Sequence, residues 1–165
     1  GGRSTQALAL PSDALLLLVP SLSEPNQTDV VVARVCEWHD QFVGMERYGL
    51  DGDMFRLRQR CEWRLRAGAA GLHSDPGCAM VVDDLDGDGV ADFALPGLAK
   101  LPSIGVLFVS GRTLQPLATA PLQAAQGATG LWVPACPKAA AHFVAMGSLR
   151  LDGSGFALWA IEPGR

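Results

Sequence analysis

The stretch FVGMERYGL (Phe42–Leu50), DGD, MFRLRQRCEWRLR (Met54–Arg66) decides the fold class. An Asp-Gly turn between two runs rich in apolar residues is a strong signal for a β-hairpin. Successive side chains of a β-strand point to opposite faces of the sheet, so the second run can be divided into two faces. One predicted face carries Phe55, Leu57, Cys61, Trp63 and Leu65, and the other carries Arg56, Arg58, Arg60, Arg64 and Arg66. The stretch therefore predicts an antiparallel hairpin with one arginine face.

Short apolar runs separated by turn residues fill most of the remaining sequence. The 19 glycines and 11 prolines favour many short elements, which is typical of β-rich folds. Further strands are predicted at 14–19, 30–38, 79–82, 91–95, 104–109, 131–133, 142–151 and 156–161, and one short helix within 115–129. We expect an all-β or mainly β fold, a sandwich or small barrel of antiparallel strands. Residues 1–12 form an irregular lead-in, and residues 13–165 form a single domain.

The most specific motif is DLDGDGVAD (Asp84–Asp92), which follows the pattern D-x-D-G-D-G-x-x-D. Its two glycines permit the positive backbone angles that turn alternate carboxylates inward. A calcium ion takes six to eight oxygen ligands, and carboxylates and backbone carbonyls supply them in loops of this kind. The sequence predicts a calcium site formed by the side chains of Asp84, Asp86, Asp88 and Asp92 and by the carbonyl of Val90.

The residues after this loop exclude an ordinary EF-hand. An EF-hand ends with a bidentate glutamate at position 12, but here that position is Leu95, and the segment before it alternates like a strand. The loop and the following DFALPG resemble the FG-GAP (or VCBS) calcium repeat over about 15 residues. The resemblance implies a calcium ion that stabilises the fold and performs no chemistry.

Charge and cysteine content narrow the class of protein. The net charge of −4 disfavours general nucleic-acid binding, and the longest apolar run, 14–20, is too short to span a bilayer. Arginine far outnumbers lysine, which favours a bacterial source.

Four cysteines, Cys36, Cys61, Cys78 and Cys136, favour disulfides and hence a periplasmic or secreted protein. Buried free thiols and a zinc site that includes Cys36 and His39 are the alternatives.

The arginine face is the candidate partner-binding surface. Guanidinium groups on one strand face would bind phosphate, a sulfated glycan, lipid headgroups or an acidic protein surface. A solvated face paired with nearby glutamates is the alternative. No nucleophile elbow, P-loop or dinucleotide-binding pattern is present, and the spacing of His39, His73 and His142 indicates no triad.

Three functions are compatible with these features. We expect a non-enzymatic, extracytoplasmic, calcium-binding domain that serves as a binding or assembly module, with a protein or an anionic surface as partner. The second is a periplasmic enzyme inhibitor, since lysozyme inhibitors are similar in size, in β architecture and in an Asp-Gly turn of this type. The third is a hydrolase that uses calcium as a Lewis acid, with a base near Asp83 or His73.

Overall fold

A computed structural model describes residues 14–36, 42–64, 79–96, 105–121, 127–133, 142–148 and 156–161, with side chains described in 14–34, 44–63, 79–95 and 106–120. The predicted lead-in at 1–12 lies outside these ranges. The described residues form eleven strands: β1 (Leu15–Pro20), β2 (Thr28–Cys36), β3 (Phe42–Asp51), β4 (Met54–Arg64), β5 (Met80–Val81), β6 (Phe93–Pro96), β7 (Gly105–Val109), β8 (Pro116–Pro121), β9 (Gly127–Val133), β10 (His142–Ser148) and β11 (Phe156–Ile161).

The strands form three antiparallel sheets in which chain neighbours are also spatial neighbours. Sheet A has the order β1-β2-β3-β4, sheet B has the order β5-β6-β7-β8, and sheet C has the order β11-β10-β9. Among the described residues there is no helix, so none has the length and apolarity that crossing a membrane requires. The prediction of an all-β fold is confirmed.

The helix predicted within 115–129 is wrong for the residues that the structure describes. Pro116–Pro121 form β8, and a further strand begins at Gly127. Prolines at both ends of β8 cannot donate a backbone hydrogen bond, which disfavours a helix but is tolerated in an edge strand. Strand β8 lies at the end of sheet B, where such prolines are accommodated.

The core lies between sheets A and B, which pack face to face as a β-sandwich. Sheet A contributes apolar side chains that alternate with exposed positions along β1, in the pattern buried, exposed, buried. The core cluster comprises Leu15, Leu17, Val19, Val31, Ala33, Met45, Cys61, Phe93, Leu95, Leu107, Val109 and Leu114. Sheet B is also buried on its other face, at Val82, Ala94, Val106 and Phe108. Strand β9 of sheet C lies beside β5 and β6.

A β-bulge in the hairpin corrects the predicted arginine face. Arg47 pairs with Gln59, but Tyr48 pairs with Leu57, so Arg58 is an extra residue without a partner. Directly paired residues share a face, and one extra residue exchanges the faces of the residues beyond it. Leu57 therefore lies on the outer face of sheet A, where it is exposed.

The same register separates the arginines of β4. Arg60 pairs with Glu46 on the outer face, whereas Arg56 pairs with Gly49, which lies in phase with the inward-pointing Arg47. The prediction that the arginines of β4 share a single face is wrong, because the bulge divides the strand into two halves of opposite phase.

Candidate metal centre

Three carboxylates converge in the loop between β5 and β6. Gly87 and Gly89 have φ angles of 78° and 86°, a backbone region that residues with a Cβ rarely adopt. These two residues fold the loop back on itself. One ligand oxygen from each of Asp84, Asp86 and Asp88 lies within 4.8 Å of the others. These three aspartates could together hold a metal ion.

Backbone amides of the loop fix these carboxylates in place. Asp84 accepts hydrogen bonds from the backbone N–H of Gly87 at 2.8 Å and of Gly89 at 2.7 Å. Asp88 accepts one from the N–H of Val90 at 2.8 Å. The amide of Gly89, followed by those of Gly87 and Asp88, lowers the pKa of Asp84, although desolvation opposes this effect. The loop therefore keeps this carboxylate ionised.

The donors that Asp84, Asp86 and Asp88 offer are all carboxylate oxygens, which suit a hard cation. The three aspartates offer oxygen donors within 4.8 Å of one another and contribute no nitrogen or sulfur, the donors that zinc prefers.

The fourth aspartate of the motif has a different place in the structure. Asp92 is buried, and its carboxylate accepts hydrogen bonds from the N–H of Leu85 and of Gly111, both at 2.7 Å. Burial raises the pKa of Asp92, although these two hydrogen bonds oppose the effect. Asp92 thus closes the loop through backbone amides. Its predicted role as a metal ligand, and that of the Val90 carbonyl, stay predictions.

The turn from Ser110 to Gln115, here called the 110–115 turn, connects the loop to sheet A. A Cβ atom added to Gly111 would lie 1.8 Å from the carbonyl oxygen of Ala91, so only glycine fits there. The carbonyl of Gly111 accepts a hydrogen bond of 2.5 Å from Nη2 of Arg47. Gly111 therefore joins Asp92 on one side to Arg47 on the other.

Arg47 is a buried cation between the two sheets that sequence reasoning missed. Its side chain is only 2% exposed, and its Nε lies 3.8 Å from Oδ2 of the buried Asp29. Its Nε and Nη1 have no hydrogen-bond partner among the described residues. Burial lowers the pKa of Arg47, and the charge of Asp29 opposes this. The alternation of β3 could have indicated this, because Arg47 is two residues from the apolar Met45 and so points to the same face.

Arg112 forms a second link between the loop and sheet A. Its Nη2 donates a 2.8 Å hydrogen bond to the carbonyl of Asp88, and its Nε lies 3.2 Å from Oδ2 of the same residue. The carbonyl of Arg112 accepts a hydrogen bond of 3.1 Å from Nε2 of Gln59 on β4. The guanidinium also offsets part of the negative charge that the three aspartates bring together.

The arginines predicted to bind a partner are distributed over several local pairs. Arg56 pairs with Asp51 at 2.8 Å, and Arg60 pairs with Glu62 and with Glu46. The side chain of Arg58 crosses Gly49, because a Cβ there would lie 2.8 Å from its Nε. The side chains of Arg64 and Arg66 lie outside the described residues. Partner binding by these five arginines stays a prediction.

The cysteines give a partial answer on disulfides. Cys61 is a buried free thiol, and Nε2 of Gln115 donates a hydrogen bond to its Sγ at 2.7 Å. Burial raises the pKa of this thiol, so it is a poor nucleophile. The expectation that Cys61 forms a disulfide is wrong, since its side chain points into the core. The side chains of the other three cysteines lie outside the described residues.

The structure describes only part of the predicted hydrolase site and of the histidines. Asp83 is exposed, while the side chains of His39, His73 and His142 lie outside the described residues. Comparison with protein-family models, with curated proteins and with solved structures found no match.

Proposed function

We propose that this chain is a non-enzymatic, calcium-binding domain that serves as a binding or assembly module outside the cytoplasm. The observation that carries the proposal is the convergence of Asp84, Asp86 and Asp88 in a loop whose far end is hydrogen-bonded to the 110–115 turn. A cation bound by these three aspartates would hold together the loop between β5 and β6. Its role would be structural.

The connections of the loop support a stabilising role. Asp92 and Arg112 both tie the loop to parts of the molecule that contact sheet A. Ordering of the loop by a cation would therefore stabilise the contact between the two sheets as well as the loop. A ligand that binds only the folded state raises the free energy of unfolding by an amount set by its affinity.

The identity of the ion and the compartment belong to the same proposal. Carboxylate donors disfavour zinc, which prefers nitrogen and sulfur, and the sequence pattern of the loop favours calcium. The likeness of the loop to FG-GAP repeats supports the same choice. Free calcium is plentiful outside the cytoplasm, which favours a periplasmic or secreted location. The buried thiol of Cys61 lends this location no support, so the argument for it depends on the metal.

Thermal unfolding with calcium and with EDTA tests the proposal. At a calcium concentration one hundred times the dissociation constant, the ion would add about 2.7 kcal/mol to the free energy of unfolding. For a chain of this length we expect the Tm to be about 5–10 °C higher in calcium than in EDTA. Magnesium at the same concentration should give a smaller shift.

Two double variants make the test specific. Asp86→Asn/Asp88→Asn removes two of the converging carboxylate charges and should abolish the calcium-dependent shift. The control Asp51→Asn/Asp53→Asn changes the Asp-Gly turn of the β3–β4 hairpin, which is exposed, and should keep the full shift. An equal Tm in calcium and EDTA, with no calcium found by elemental analysis, would falsify the proposed metal site.

A further inference from the structure

An apolar patch lies on the outer face of sheet A, the face opposite the core. One row of paired residues crosses all four strands of the sheet: Leu18, Val30, Tyr48 and Leu57. Leu16 and the pair Leu50 and Phe55 extend this row on the same face, in phase with it. These seven residues are called the outer apolar patch. Its four leucines are exposed, with 70% for Leu18, 56% for Leu16, 50% for Leu57 and 42% for Leu50.

The strands that carry the patch have the composition of strands covered on both faces. The sequence LLLLVP of β1 and the run Val30–Val32 of β2 are apolar at inward and outward positions alike. A sheet that faces water on one side normally alternates apolar with polar residues, whereas near-continuous apolar runs are typical of sheets covered on both sides. Sheet B shows such burial on both faces. On the outer face of sheet A, Val32 and Glu46 are buried, but the leucines of the outer apolar patch remain exposed.

The charges around the patch fit a copy of the same surface. Glu46 lies next to it and bonds Arg34 and Tyr48, and Arg60 bonds Glu62. These border residues comprise two arginines and two glutamates, so their formal charges sum to zero. A polyanionic partner or an anionic membrane would select a positive excess. A balanced border meets its own copy without like-charge repulsion.

The size of the patch indicates a weak association. Four strands about 4.8 Å apart, with about six residues of about 3.3 Å each, give a face of roughly 400 Å² in projection. This is about the size of the largest apolar patch on a typical monomer, and such patches are often functional. Two such faces bury about 800 Å² before the border is counted, which is below the size of a standard specific interface.

We propose that the outer apolar patch is a homodimer interface, in which sheet A of one copy packs face to face on sheet A of a second copy. Face-to-face packing of two sheets is the arrangement that sheet A already uses on its core side. A two-fold axis would bring the same row of residues from both copies together. The proposal gives the assembly role of the proposed function a surface, and it does not depend on the metal site.

Sedimentation equilibrium tests the interface, with calcium present throughout and protein from low micromolar to several hundred micromolar. The wild type should show a monomer–dimer equilibrium within this range. The variants Leu18→Glu and Leu57→Glu should each weaken dimerisation by about ten-fold or more, since a charge would be buried without a partner. Leu22→Glu, in the exposed turn after β1, is the matched control and should dimerise like the wild type.

Circular dichroism should show all three variants folded, because each replaced side chain is already exposed. A wild type that remains monomeric at several hundred micromolar overturns the interface, and so does Leu57→Glu protein that dimerises normally. Monomeric wild-type protein that co-sediments with phosphatidylcholine vesicles would also overturn it and assign the patch to a lipid surface. The dimer test measures mass and the calcium test measures Tm, so failure of one proposal is distinguishable from failure of the other.

Discussion

Glu46 and Arg47 are neighbours on β3, and both are buried charges, but they point to opposite faces of sheet A. Glu46 on the outer face is bonded by Arg34 and by the hydroxyl of Tyr48 at 2.6 Å, and Nε of Arg60 lies 3.6 Å away. Arg47 on the inner face has Asp29 as its counter-charge at 3.8 Å, but among the described residues it donates a hydrogen bond only to the Gly111 carbonyl, and its Nε and Nη1 have no hydrogen-bond partner.

The difference shows how the surroundings of a charge decide how well it is satisfied. On the outer face, long side chains can rotate to reach Glu46 while their other atoms remain in water. Between the sheets, the partner of Arg47 is a backbone carbonyl, whose position the fold has already fixed. The hydrogen bonding of Arg47 thus depends on the position of the 110–115 turn, whereas that of Glu46 does not.

Removing the buried carboxylate from each site should have the largest effect and tests this comparison directly. Asp29→Asn leaves Arg47 as an uncompensated buried charge, and we expect the free energy of unfolding to fall by about 3–5 kcal/mol. Glu46→Gln leaves only arginines that are partly exposed, so we expect a loss of about 1 kcal/mol. Urea unfolding of the two variants measures the difference.

A second substitution separates the buried charge from the shape of the side chain. Arg47→Met in the Asp29→Asn background should recover most of the lost stability, since an apolar side chain of similar length needs no partner there. Equal losses for Asp29→Asn and Glu46→Gln, or no recovery with Arg47→Met, would contradict the contrast between the two faces.

The second prediction concerns the backbone position on which Arg47 depends. Gly111→Ala would place a Cβ against the Ala91 carbonyl, and we expect a loss of about 2–3 kcal/mol measured by urea unfolding. The control is Gly52→Asn in the hairpin turn, where φ is 61° and no heavy atom lies within 4 Å of the added Cβ. Asparagine tolerates such a φ angle, so the control should change stability by less than about 0.5 kcal/mol. Wild-type stability of Gly111→Ala would show that the 110–115 turn can shift freely.

The third and smallest effect is a pH dependence on the outer face. Burial, followed by the hydrogen bond to Glu46, raises the pKa of Tyr48 above its ordinary value of 10.0. The stability that results is complete below pH 10.0 and is lost as the pH rises through the higher pKa of the folded protein. Tyr48 is the only tyrosine, so the ultraviolet absorbance of the phenolate reports on it alone.

We expect the phenolate to appear at a higher pH in the folded protein than in urea. In Glu46→Gln the transition should move to lower pH, because the negative charge that opposes ionisation is gone. A Tyr48 transition that is the same with and without urea would sink this prediction.

The fold class and the metal loop were predictable because each depends on local sequence. Turn residues between apolar runs specify antiparallel strands, and the spacing of Asp84, Asp86 and Asp88 specifies their convergence. The helix within 115–129 was wrong because that segment shows no clear period, and the edge position of β8, which makes Pro116 acceptable, is a property of the whole sheet.

The links between the loop and sheet A were not predictable, since they join residues far apart in the chain. Arg47 and Gly111 are 64 residues apart, and neither belongs to a recognisable motif. The free thiol of Cys61 likewise depends on the direction of its side chain. Cysteine counting alone cannot establish that direction.

The bulge at Arg58 works like a frameshift within a strand. With Arg58 opposite Tyr48, in place of Leu57, the outward positions of this half of β4 would be arginines and Leu57 would turn toward the core. The same thirteen-residue run would thus present a charged outer surface in one pairing, and it presents an apolar outer surface in the other. In the proposed dimer, the surface that binds the second copy therefore depends on a single extra residue in β4, with no change in composition.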